Sequence, residues 1–79
     1  MIVIKRIGIK TESIELDKFL KWSGIMPTGG TAKSVIADGQ VRVNGQVEIR
    51  RSKRLVCGDI VEFEGIEYSV DEEQSESEY

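Results

Sequence analysis

Five consecutive residues, Arg50-Arg51-Ser52-Lys53-Arg54, carry the densest chemistry in this chain. Four cations in that space repel one another, and no acid lies within the run to relieve them. Folding gains little from such a run, whereas a polyanion would gain much by binding it. The competing reading is a solvated loop whose bases pair with acids from elsewhere, such as Glu48 or Glu62. Other chemistry is scarce. The 79 residues include no histidine and one cysteine, Cys57, which excludes imidazole–thiolate metal sites and His-based triads. Gly24 and Gly29 have the spacing of the glycines of a phosphate-binding loop, but Gly30 and Thr31 follow where that motif requires Gly-Lys-Ser/Thr. A helix is also expected before Gly24, where the motif has a strand, so nucleotide hydrolysis is not expected. Glu15 and Asp17 are expected to complement a helix dipole rather than to form a catalytic pair. Cys57 is expected to be a small, partly buried apolar residue.

The charge is unevenly placed. Of fourteen acids, five fall in the last nine residues, leaving nine acids against eleven bases in residues 1–70 despite a formal net charge of -3. That balance describes a mildly basic body with one basic patch, 1–70, and an acidic, serine-containing tail, 71–79, expected to be disordered. The body is short enough for one domain only. No run reaches the roughly 18 apolar residues of a membrane span, and no export signal is read at the start, so a cytoplasmic monomer is expected.

The elements that position these residues follow from periodicity. β-Branched residues at Ile2, Val3, Ile4, Ile7 and Ile9 favour a first strand. Thr11-Glu12-Ser13 makes a polar break, and from Ile14 a helical stripe begins, with Leu16, Phe19 and Leu20 at i, i+3, i+4, ending near Gly24. Trp22 falls at the edge of that stripe. It is read as a cover for the core, with stacking on an exposed base as the alternative. After the Pro27 and Gly29-Gly30 breakers, a second helix is expected over Thr31 to Asp38, with Ala32, Val35 and Ile36 inward. The double glycine is read as a tight helix–helix turn, with outward backbone N–H groups and Lys33 meeting an anion as the alternative.

Val41-Arg42-Val43-Asn44-Gly45-Gln46-Val47-Glu48-Ile49 predicts a hairpin, with Val41, Val43, Val47 and Ile49 on one face and Asn44-Gly45 as a type I′ turn. Arg50 to Arg54 then forms a loop. Strands follow at Ile60–Phe63 and Glu67–Val70, the first after a Cys57-Gly58-Asp59 turn and the second after Gly65. The fold class is therefore α+β: two short helices packed on a small, strongly bent, mainly antiparallel sheet.

The order of four segments resembles a known family. Leu16-Asp17-Lys18-Phe19-Leu20-Lys21, Ala32-Lys33, Gly39-Gln40-Val41-Arg42-Val43-Asn44-Gly45 and Leu55-Val56-Cys57-Gly58-Asp59-Ile60-Val61 are similar to the S-four RNA-binding domain, also called the alpha-L motif. The resemblance runs from about Glu15 to Phe63. It implies a non-enzymatic module that needs no cofactor and presents a basic surface to structured RNA, ribosomal or transfer. By position it implies contacts from Lys18, Lys21, Thr31, Lys33, Ser34 and Arg42, to which the basic run adds Arg50, Arg51, Lys53 and Arg54. The Gly29-Gly30-x-Ala32-Lys33 and Arg50-Arg51-x-Lys53 runs further resemble the small stand-alone bacterial branch of the family, the YaaA and YbcJ type, described as ribosome-associated. Two departures remove cations from the expected face: Glu15 stands where many members have arginine, and Thr28-Gly29 where they have Ser-Arg. A different class of function, a protein-interaction adaptor docking its basic loop on an acidic partner, is separated from RNA binding by a salt titration against folded RNA.

Overall fold

The β-branched N-terminal run does form a strand, β1 (Val3–Ile9), but its partner is the far end of the chain: it pairs in parallel with β7 (Ile66–Glu72). The computed structural model describes residues 3–72. Between these strands lie β2 (Ser13–Glu15), α1 (Leu16–Trp22), α2 (Gly29–Ala37), β3 (Val41–Val43), β4 (Gln46–Val47), β5 (Arg54–Val56) and β6 (Ile60–Phe63). The five-stranded sheet has the order β1-β7-β6-β3-β4, and β2 with β5 forms a separate antiparallel pair. All pairings except β1–β7 are antiparallel. The expected α+β class holds, with the single bent sheet divided into two.

The helical stripe of α1 is buried as its spacing requires: Leu16, Phe19 and Leu20 are fully enclosed, facing Ala32 and Ile36 of α2 and Val41, Leu55, Val61 and Val70 of the strands. Each large apolar side chain enclosed in this way stabilises the fold by about 1.5–3 kcal/mol. Gly24 ends α1 in the left-handed region at φ +83°, its N–H donating to the Lys21 carbonyl (3.1 Å). The second helix starts two residues earlier than Thr31. Thr28 is its N-cap, its hydroxyl accepting from the Thr31 N–H (3.2 Å), so Gly29 and Gly30 form the first helical turn instead of the turn before it.

Four other expectations are corrected. Ser13–Glu15 is not a simple break or the helix start but the strand β2. Val47 and Ile49 do not share a face with Val41 and Val43; they are 52% and 62% exposed. The two-residue turn places Val47 opposite Arg42 and Gln46 opposite Val43, so the inward set changes parity across it. Asn44 and Gly45 do have the positive φ values, 53° and 85°, of a tight hairpin turn. Cys57, third, is exposed on its turn. The last strand also exceeds the expected Glu67–Val70, taking in Asp71 and Glu72 from the segment read as tail. Asp71 lies 3.9 Å from Arg6. The remainder of that tail lies outside the described residues. No described helix is long and apolar enough to cross a membrane.

Candidate nucleic-acid interface

Two backbone features place the basic run against α1. The β2–β5 pair sets Glu15 opposite Arg54 and Ile14 opposite Leu55. Glu15, the N-cap residue of α1, makes no side-chain cap. The first free donors of the helix are met from the basic run instead: the Leu16 N–H donates to the Lys53 carbonyl (2.8 Å) and the Asp17 N–H to the Arg51 carbonyl (3.0 Å). The run therefore wraps the start of the helix that carries Lys18 and Lys21.

Its four cations are not equivalent. Arg50 Nε donates to Glu48 (3.0 Å), and Arg51 reaches Asp17 (3.3 Å). Glu48 thus serves as one of the two acids considered in the sequence, while Glu62 forms no ion pair with the run among the described residues. Arg54 donates to the Ser13 hydroxyl (3.0 Å), and Lys53 has no carboxylate partner among the described residues. Lys18 donates to Glu15 (2.7 Å), and Lys21 is also without an ion pair in that set. The hydrogen bond from Arg50 holds the Glu48 carboxyl below its ordinary range, and the one from Lys18 does the same for Glu15. The bases respond in the opposite sense: Glu15 raises Lys18, and Glu48 raises Arg50. The three cations paired in this way, Lys18, Arg50 and Arg51, are exposed, so water and salt screen the pairs and leave them weak. A phosphate can exchange into them.

These side chains line connected depressions. Lys18 and Lys21 share one with Ile14 and Trp22. Lys18 continues into a second with Thr11, Ser13, Glu15 and Arg54. Arg54 continues into a third with Arg50, Ser52 and Lys53. The result is a basic strip from Lys21 to Arg50, interrupted by Glu15. Arg51 lines none of these depressions, its guanidinium being turned to Asp17, and the remaining candidates also lie apart from the strip. The Thr31 hydroxyl is 3.1 Å from that of Thr28, within the α2 cap, and Lys33 and Ser34 are exposed farther along that helix. Arg42 projects from the exposed side of β3, opposite Val47 and Glu62. None of these four lines the strip.

Ser13, Ile14 and Trp22 are strip residues that sequence reasoning did not place there. The only signal was a polar–apolar–polar alternation at Ser13-Ile14-Glu15, too short to separate from the approach to a helix. Trp22 was expected to cover the core, but it is half exposed.

Residues 7–71 match the family model described as the S4 domain. The chain belongs to the S4 domain family. Among curated relatives, a Bacillus subtilis (strain 168) protein named "Probable ribosome maturation protein RlbA" is 42% identical over 59 residues, covering 75% of this chain and 83% of that one. YbcJ of Escherichia coli (strain K12) is 43% identical over 56 residues, 71% of this chain and 80% of its own. The solution structure of E. coli YbcJ, described as revealing an alpha-L motif involved in RNA binding, superposes with a TM-score of 0.62 at 38% identity, covering 87% of this chain and 86% of that one. The S4 match spans every element from the end of β1 into β7, so both the basic run and its seat on α1 lie inside the domain.

Proposed function

We propose that this S4 domain is a non-enzymatic module that binds structured RNA, ribosomal or transfer, and acts as a ribosome-associated monomer in the bacterial cytoplasm. The observation that carries this reading is the seating of Arg50–Arg54 on the first turn of α1, which makes one strip of Lys18, Lys21, Lys53, Arg54 and their neighbours. A run of cations that folding does not need is held in a fixed place by backbone hydrogen bonds, and a row of phosphates is the ligand that uses such an arrangement. The relatives support it, since one is named for ribosome maturation and the other's structure is described as an RNA-binding motif. Thr31, Lys33, Ser34 and Arg42 are proposed as outlying contacts for an RNA large enough to pass beyond the strip.

The test is a titration of the full chain against folded ribosomal RNA fragments and transfer RNA at increasing salt. Four phosphates on the strip give a log–log slope of roughly -3. A flat slope, or tighter binding to an acidic polypeptide than to either RNA, overturns the reading in favour of the protein-docking adaptor.

A further inference from the structure

Trp22 is half exposed, at 50%, yet it is tethered. Its indole Nε1–H donates to the Gly8 carbonyl of β1 (2.9 Å), and the Lys10 ammonium lies 5.8 Å from the ring centroid. The ring and Ile14 line two adjoining depressions. One is an open space of about 410 Å³ completed by Lys18 and Lys21; the other is about 150 Å³ and is completed by Ile9, Lys10 and Thr11. Among the described residues, no carboxylate lines either. The larger lies within the size range of small-ligand sites, about 300–1,000 Å³.

We propose that Trp22 is a stacking platform for an unpaired RNA base, with Lys10, Lys18 and Lys21 meeting the phosphates that flank it. The inference rests on the RNA-binding reading and specifies the kind of RNA. An aromatic ring whose polar edge is already bonded to the backbone is fixed before a ligand arrives, so stacking on it costs little ordering. Cations at its margins, in a lining without acids among the described residues, favour a polyanion. A flat ring suits the one polyanion that also presents flat apolar faces. Bases in a duplex hide those faces, whereas loops and bulges offer them. Lys18 belongs both to this depression and to the next one along the basic strip, so the platform continues the phosphate track. A helical stem on the strip and a splayed loop base on Trp22 satisfy both parts.

The chain has one tryptophan, so its fluorescence reports on this ring alone. The full chain is titrated with an RNA hairpin carrying an unpaired loop and with a fully paired RNA of the same stem. The expected results are a change in Trp22 emission with the hairpin only, and hairpin binding about 5- to 150-fold tighter than duplex binding. Trp22→Ala removes that preference, so that hairpin and duplex bind equally. Trp22→Phe, which keeps a stacking face but loses the tether to Gly8, retains most of the preference, and that separates stacking from a folding defect. An undiminished hairpin preference in Trp22→Ala, or an emission unmoved at saturating hairpin, overturns the platform while leaving RNA binding intact. Failure of the wild-type chain to bind either RNA overturns both readings, and an emission change with polyglutamate but not with RNA assigns the surface to a protein partner.

Discussion

The side chains of Asn44 and Asp59 are hydrogen-bonded to each other, Nδ2 donating to Oδ1 over 3.2 Å, and they tie together the two turns that carry the family resemblance. Asn44 Oδ1 also accepts from the Ile60 N–H (3.0 Å), and the second Asp59 oxygen from the Val56 N–H (2.9 Å). The Asn-Gly and Gly-Asp elements are thus joined for a structural reason. They close one hydrogen-bonded network between the β3–β4 hairpin and the entry to β6.

Removing either side chain is expected to cost stability without affecting RNA binding. Asn44→Ala loses two hydrogen bonds, each worth about 0.5–1.5 kcal/mol net. It also places a Cβ residue without a polar side chain at φ 53°. The expected loss is about 2 kcal/mol, a fall in Tm on the order of 10 °C, while Asn44→Gly loses only the hydrogen bonds. In a double-mutant cycle, Asn44→Ala and Asp59→Ala should couple by about 1 kcal/mol. Strictly additive losses would show that the pair is not the link.

The ion pairs divide the basic run into two halves that salt titration can separate. Lys53 and Arg54 have no carboxylate partner among the described residues, whereas Arg50 and Arg51 are matched by Glu48 and Asp17. A cation already paired with a carboxylate must give up that partner to neutralise a phosphate, so it displaces fewer of the counterions condensed on the RNA. Lys53→Gln with Arg54→Gln should therefore flatten the log–log slope for RNA binding by roughly 1.5. Arg50→Gln with Arg51→Gln should flatten it by less than half as much. Equal effects would mean that the ion pairs open freely on binding.

What the sequence made legible and what it hid separate along physical lines. The Leu16, Phe19 and Leu20 stripe is set by local period and is buried as read. The parallel partner of β1 and the Asp17–Arg51 pair join residues remote in sequence, and no local pattern encodes them. The face of Val47 was misread because alternation was carried through a two-residue turn that inverts it. At Trp22, periodicity located the edge of the stripe correctly. The bond to Gly8 that leaves the ring outward belongs to another element.

Glu15 and Glu48 make acid stability testable. Both carboxyls are held below their ordinary value in the folded state, by Lys18 and Arg50 respectively. The folded protein therefore binds these protons less readily than the unfolded chain. Their stabilisation is fully present above the unfolded value of about 4.3, and it disappears as pH falls through the lower folded values. Tm should decline in that acid window, and Glu15→Gln and Glu48→Gln should each make the decline shallower. Acid limbs parallel to that of the wild type would show that neither pair contributes.

Gly30 and Gly39 should respond to alanine in opposite directions. Gly30 is within the first turn of α2 and lacks a positive φ, and a Cβ there would meet only the Thr28 hydroxyl at 3.9 Å. Gly39 has φ +79°, strained for any side chain. Gly30→Ala should raise stability by about 0.5–1 kcal/mol, and Gly39→Ala should lower it by about 1 kcal/mol or more. Unfolding curves in urea measure both, and a destabilised Gly30→Ala would mean that the first turn of α2 needs glycine for reasons other than its backbone angle.

Among the described residues, Glu15 is the one acid lining the basic strip, beside Arg54 and Lys18. It repels a phosphate approaching either cation and occupies Lys18 in an ion pair. Glu15→Gln removes both effects while preserving size, and its carboxylate makes no side-chain cap whose loss would unravel α1. RNA affinity should rise several-fold at low ionic strength, and the gain should shrink as the Debye length falls toward about 8 Å near physiological salt. The log–log slope should steepen by somewhat less than 1, because Lys18 gains a phosphate in place of its carboxylate. Glu15→Gln should tighten binding to both duplex and hairpin RNA, since Lys18 lies on the phosphate track that both use. Unchanged affinity at low salt would place the RNA away from the start of α1 and leave Lys33, Ser34 and Arg42 as the surface to test next.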